Sequence, residues 1–166
     1  MESDEGFEEF YRTTRHRVVT VLYALGGDLA EAQDAAQEAY VRSWQRWERI
    51  SGYGDPEAWV RTVGHRLLIN RWRKIRNGFA AYRRHGPDPA VGPPSENTVA
   101  LVTALRRLPD EQREAIVLHH LADLSVAEIA AQTGAPTGTV KARLARGRKS
   151  LATMLDTALP EEVTHA

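Results

Sequence analysis

Between Leu124 and Leu151 the chain reads LSVAEIAAQTGAPTGTVKARLARGRKSL, and few local structures satisfy that stretch. Ser125 suits a helix N-cap, and Glu128 stands three residues on, the spacing of a capping box. Leu124, Val126, Ile129 and Ala130 then point inward. Gly134 can take the left-handed conformation that ends a helix, and Pro136 stops its continuation. Thr137 is read as the cap of a second helix, on which Val140, Leu144 and Leu151 are spaced for one buried face. The opposite arc carries Gly138, Ala142, Ala145, Arg146 and Lys149, flanked by Thr139, Lys141 and Arg143. Small residues and long cations on one exposed face suit entry into a DNA major groove. A surface helix with a solvated basic face is the plain alternative. Cap, turn, buried face and basic face all agree, which favours DNA binding.

The formal net charge of +0 hides an arrangement in blocks. Residues 1–60 hold 12 acids and 6 bases, whereas 61–87 hold 8 bases and no acid. Residues 88–133 hold 7 acids and 3 bases, and 134–151 hold 5 bases and no acid. Residues 152–166 add 3 acids and no base. Single-sign blocks create local fields even when the total cancels. Two separated basic blocks point to two contacts with one polyanion, and the acidic parts to a partner of opposite sign.

Ahead of the second block the periodicity is helical. Phe7, Phe10, Tyr11, Thr14, Val18, Leu22 and Leu25 form one stripe, which Gly26 and Gly27 end. Asp28 caps a second helix, with Glu31 at the capping-box position, that continues to about Arg49. Ala32, Ala35, Ala36, Ala39, Tyr40, Ser43, Trp44 and Trp47 are expected on its packed side, with Asp34, Gln37 and Glu38 toward the other. Asp55 and Pro56 open a third helix that runs to about Asn77. There Trp59, Val60, Val63 and Leu67 read as the buried side, and Thr62, His65, Arg66, Arg73 and Arg76 as the exposed one. Trp72, among arginines, is a candidate to stack on an unpaired base, or else packs at the core edge.

Gly86-Pro87-Asp88-Pro89 and Gly92-Pro93-Pro94 break any regular element, so the expected division is a domain at 1–77, a linker at 78–96 and a second domain at 97–158. A fourth helix, about Glu96 to Arg107, buries Leu101, Val102, Leu105 and Leu108; a fifth, opened by Pro109, buries Ala115, Ile116 and Leu118. The tail after Leu155 is expected to fray. The fold class is therefore all-α: two small helical domains on a flexible linker, the second with a helix–turn–helix.

Some chemistries find no support. With no cysteine there is no disulfide frame, thiolate nucleophile or cysteine-based zinc site. His119 and His120 are adjacent and do not share a helix face, so they make a poor metal pair. No phosphate-binding glycine loop, nucleophile elbow or paired-carboxylate site appears. Neither an enzyme, a cofactor, a metal nor a small-molecule substrate is expected. No segment is apolar enough to span a membrane, and MESDEGFEEF is unlike a secretory signal, so the expected location is cytoplasmic.

The run LPDEQREAIVLHHLADLSVAEIAAQTGAPTGTVKARLARGRKSL resembles region four of bacterial sigma factors. GDLAEAQDAAQEAYVRSWQRW resembles their region two, and DPEAWVRTVGHRLLINRWRK the strand-opening part that follows. With only a linker between them, the arrangement is similar to the extracytoplasmic-function group. That resemblance implies core RNA polymerase and promoter DNA as partners, with an anti-sigma factor as a further candidate. It implies polymerase docking by Asp34, Gln37 and Glu38. It implies −10 melting and capture within 52–76, where Thr62, His65, Arg66, Trp72, Arg73 and Arg76 are the candidates. For the −35 element it implies base contact by Lys141, Ala142, Ala145 and Arg146. Arg143 and Arg148 are expected on phosphates, with Thr137, Thr139 and Lys149 on the same face. Three positions depart from the family's frequent residues: Arg66 replaces Asn, Asn70 replaces Asp, and Ala142 replaces Ser. The first two bear on the −10 preference and the third on the −35 preference.

Two other classes compete. A regulator of the two-component output type has a similar helix–turn–helix, but needs a sensing or receiver domain, usually α/β. A protein-binding adaptor needs no acid-free basic blocks on two separate helices.

Overall fold

The described residues, 2–78 and 92–158, of the computed structural model form eight helices and no strand, and Asp28, Asp55, Ser95 and Ser125 cap four of the helix starts. The chain forms two units, Met1–Pro94 and Ser95–Ala166. Most of the 78–96 stretch and the tail beyond residue 158 lie outside the described residues.

The first unit contains α1 (Glu2–Gly26), α2 (Leu29–Gln45), the short α3 (Trp47–Ile50) and α4 (Pro56–Arg76). Gly27, at φ 75°, turns the chain out of α1, and the Asp28 carboxylate then accepts from the Glu31 N–H at 3.0 Å. Asp55 caps α4 in the same way, through the Ala58 N–H at 3.0 Å. Each cap satisfies a donor that the first helical turn leaves without a partner. Val18, Val21, Leu22 and Leu25 of α1 meet Ala32, Ala35, Ala36 and Ala39 of α2, and all eight are buried. The alanines let the helices close up. Gly64 does the same for α4, since a Cβ there would lie 2.7 Å from Leu22 Cδ1.

One helix was expected from Asp28 to about Arg49; the structure breaks it at Arg46, where φ is −123° and ψ 21°. The Arg46 N–H turns back to the Ser43 carbonyl at 3.2 Å, and α3 starts at Trp47. That break separates the two tryptophans expected in the core. Trp47 packs on α1, stacked on Phe10 at 4.9 Å between centroids and edge-on to Phe7 at 5.4 Å. Trp44 is 55% exposed and lies outside the core.

The second unit contains α5 (Glu96–Arg106), α6 (Asp110–His120), α7 (Val126–Thr133) and α8 (Thr137–Ala158). Val102, Leu105, Leu108, Ala115, Ile116, Val117, Leu118, Leu124, Ile129, Val140 and Leu144 make its core. Ser125 and Glu128 form both bonds of the capping box, and Gly134 sits left-handed at φ 75°. Thr137 is the first residue of α8 rather than its cap; the Val140 N–H bonds back to the Pro136 carbonyl at 3.1 Å. Gly147 allows α8 to lie on α6, for a Cβ there would come 2.8 Å from Ile116 Cγ1. The link from α6 to α7 passes through Asp123 at φ 57° and is pinned by His119 Nδ1, 2.7 Å from the Leu124 carbonyl.

Candidate nucleic-acid and partner interfaces

In the second unit the exposed arc of α8 emerges from a narrow buried stripe. Val140, Leu144 and Gly147 are buried and Leu151 half-buried, which turns Gly138, Lys141, Ala145, Arg146 and Lys149 outward with Thr137. Thr139 and Ala142 are half-buried at its margins. The acid-free run gives this arc a positive field with backbone close to the surface, a combination that admits a phosphate-lined groove.

Arg143 and Arg148 flank the buried stripe on its two sides, and both reach back to α6. Arg143 Nη2 lies 3.4 Å from Glu111 Oε2. Glu114 is close by; burial pushes its carboxyl above the usual range, and Arg143 opposes that rise. Arg148 Nε donates to His120 Nε2 at 3.0 Å. His120 is held below its ordinary value, first by burial and then by Arg148 and His119, which suits its role as acceptor. Both arginines therefore have partners inside the unit, a feature that spacing within α8 does not reveal.

In the first unit α4 presents a different face from the one expected. Val60, Arg61, Gly64, His65 and Leu68 are buried, while Trp59, Val63 and Leu67 are half-buried. The buried arc is rotated by about 100°, one residue of helix. Apolar residues cover most of this helix, so their spacing alone does not fix which side packs, and the contact of Gly64 with Leu22 sets its orientation. His65, expected outside, is 8% exposed and is held down to about 4 by desolvation. Trp72 is half-buried with its ring edge on Gly26, and so belongs to the core edge. Thr62 is half-buried; Arg66, Asn70, Arg73 and Arg76 are exposed, together with Ile69 and Ile75. A basic surface with two isoleucines and no acid can take both the phosphates and the apolar faces of unpaired bases.

The polar face expected on α2 is also revised. Asp34 is 2% exposed. Helix α2 is packed by both α1 and α4, and five consecutive residues, Ala32 to Ala36, are buried, which leaves Asp34 no outer side to occupy. Glu38 is half-buried and bonded to Arg42 at 2.7 Å and Arg71 at 3.3 Å. Gln37 is exposed, and so are Val41 and Trp44, one and two turns on. With Phe7, Tyr11 and Tyr40 they line an apolar groove of about 380 Å³. Tyr40 is fixed at its base by a 2.6 Å hydrogen bond with Thr14, and burial raises its hydroxyl far above the ordinary value. Val41 and Trp44 continue the helical spacing from Gln37, so the signal for this arc is present in the sequence.

Two family models match the chain: Sigma-70 region 2 over residues 10–78, and Sigma-70 region 4 over residues 98–151. The RNA polymerase sigma-E factor of Streptomyces antibioticus is 32% identical over 157 residues, 91% of this chain and 85% of that protein. The ECF RNA polymerase sigma factor SigC of Mycobacterium tuberculosis is 28% identical over 162 residues, 95% of this chain and 85% of its own. Among solved structures, the sigma factor RpoE in complex with the anti-sigma factor NepR, from Bartonella quintana, has a TM-score of 0.70 at 22% identity, covering 92% of this chain and 98% of that one. The extracytoplasmic function sigma factor SigJ of Mycobacterium tuberculosis has a TM-score of 0.60 at 28% identity, covering 86% of this chain and 52% of its own.

Proposed function

The chain belongs to the extracytoplasmic-function group of sigma-70 factors, which bind core RNA polymerase and direct it to promoters, and we propose how its two units divide that work. The first unit docks on polymerase through the outer arc of α2, Gln37, Val41 and Trp44, with the apolar groove beside it. A half-exposed tryptophan over an apolar groove is the usual composition of an interface anchor. The same unit opens the −10 element with the exposed side of α4, where Thr62, Arg66, Arg73 and Arg76 meet the displaced strand. Trp72 and His65 support that surface from within.

The second unit reads the −35 element. Lys141, Ala142, Ala145 and Arg146 face base edges, with Thr137, Thr139 and Lys149 on the surrounding backbone. Arg148, at the flank, meets a phosphate. Arg143 braces α8 on α6 through Glu111. RNA synthesis is the polymerase's chemistry, so the chain itself is no enzyme, and its partners place its work in the cytoplasm. An anti-sigma factor is the third partner we propose, by analogy with the RpoE complex.

The observation that carries this reading is the exposed, acid-free arc of α8 above its buried stripe, in a chain that also holds a region 2 unit. Run-off transcription with core polymerase on genomic fragments tests it. The expected result is a set of start sites sharing one −10 and one −35 sequence, absent without the chain. Specific binding to duplex promoters by the chain alone, with no effect on polymerase, would overturn it.

A further inference from the structure

Arg71 lies in the basic block of α4, yet its guanidinium is turned inward. Nη1 is 3.4 Å from the Glu31 carbonyl oxygen and 3.5 Å from Glu31 Oε2, while Nη2 is 3.3 Å from Glu38 Oε2. The three side chains are 20%, 12% and 25% exposed. Glu31 and Glu38 are seven residues apart and share one stripe of α2. A planar guanidinium presents its donors in a fixed fork that serves both at once, with less ordering cost than a flexible ammonium.

What this tie holds is the end of α4. Beyond Leu68 no described residue of the helix is buried; Arg71 and Trp72 are half-buried, and residues 73–76 are exposed. Those four include Arg73, Lys74 and Arg76, with no acid in the block to offset them. With no buried side chain of their own, these last turns depend on Arg71 and Trp72 for contact with the rest of the unit. Trp72 anchors one side of it on Gly26, and Arg71 anchors the other on α2.

We propose that Arg71, through Glu31 and Glu38, is a positioning residue for promoter opening: it fixes the last turns of α4 against the helix that docks on polymerase. Glu38 thereby acts within the unit rather than as a docking contact. The proposal rests on α2 as the docking helix and α4 as the opening helix. Docked polymerase then holds the opening surface in a set register, and loss of the tie leaves docking intact while the basic end of α4 swings free.

The test uses holoenzyme assembled from core polymerase and the full chain, on a promoter recovered by run-off. The promoter is supplied both as duplex and with its −10 region already unpaired by mismatches. Arg71→Met and Glu38→Met are each expected to leave affinity for core polymerase within about twofold and to slow opening of the duplex by about tenfold. The pre-opened promoter should be used within about twofold of the native rate, and the double variant should be no slower than the slower single one. Arg71→Lys should fall between native and Arg71→Met. Three results would overturn the proposal: weaker core binding by Glu38→Met, an equal loss on duplex and pre-opened promoters, or additive effects in the double variant. If Arg71→Met unfolds the first unit, Arg71→Lys decides, and a native opening rate counts against the tie. Normal run-off by the unaltered chain separates failure of this pair from failure of the wider reading.

Discussion

The two basic helices, α4 and α8, are built on opposite plans. Helix α8 buries a stripe of three small or aliphatic residues, Val140, Leu144 and Gly147, and sends its cations outward or sideways. Helix α4 buries a wide arc that takes in Arg61 and His65, and turns Arg71 inward. A narrow stripe leaves most of the circumference to the ligand, and suits a helix that enters a groove as a rod. A wide arc leaves one surface, and suits a helix that offers a platform to a displaced strand. Each meets its neighbour through a glycine, Gly147 on Ile116 and Gly64 on Leu22, and the glycines provide the sharpest separation of the two units.

Gly64→Val should destabilise the first unit by about 3 kcal/mol, because Leu22 is fully enclosed and has no room to retreat. Gly147→Val should do the same to the second. All four tryptophans lie in the first unit, so fluorescence follows that unit and circular dichroism follows both. Urea unfolding watched at the tryptophans should move to lower urea for Gly64→Val and stay in place for Gly147→Val. A shift of equal size in both would mean that the units unfold together.

The second contrast is in pH. His65 is neutral when folded, with its value lowered from 6.5 to about 4 by desolvation. The unfolded state thus takes up a proton that the folded state refuses. Stability is unaffected above pH 6.5 and declines as pH falls from there to about 4, by roughly 2–3 kcal/mol at the lower end. The loss should appear in the tryptophan-monitored transition, and His65→Gln should flatten it over that window.

A third comparison sets Trp44 against Trp47. Trp44→Ala should lower affinity for core polymerase by at least about tenfold while changing stability within about 0.5 kcal/mol. Trp47→Ala should lower stability, since its ring sits between Phe7 and Phe10. Undiminished core affinity in Trp44→Ala, measured by competition with the native chain, would remove the groove from the docking surface.

On α8 the expected effects fall on sequence preference and salt dependence, with the fold left intact. Arg146→Ala should relax preference at one or two −35 base pairs by roughly 1–3 kcal/mol of discrimination. Arg148→Ala should weaken binding to all sequences alike and reduce the salt dependence by about one phosphate contact. A −35 library scored at several salt concentrations distinguishes them. Uniform loss in Arg146→Ala, with the preferred bases intact, would end its assignment as a base reader.

Much of this molecule was legible in residue order because the signals were local. Ser125 with Glu128, Gly134 ahead of Pro136, and Asp55 before Pro56 act on backbone groups a few residues away, so these caps and this turn could be read directly. The all-α class and the outward arc of α8 followed, since one clear apolar stripe has one way to be buried. What only the tertiary structure decided was which side of a helix is covered when two neighbours compete for it. Helix α2 lies against both α1 and α4, so Asp34 is buried and Trp44 is not. Helix α4 has apolar residues around most of its circumference, and a close approach at Gly64 turned His65 inward. The partners of Arg71, Arg143 and Arg148 lie 28 to 40 residues away in the chain, and polar pairing over that separation leaves no periodic trace. Periodicity gives the angle between side chains on one helix; the direction in which that helix faces is set by the shapes it packs against.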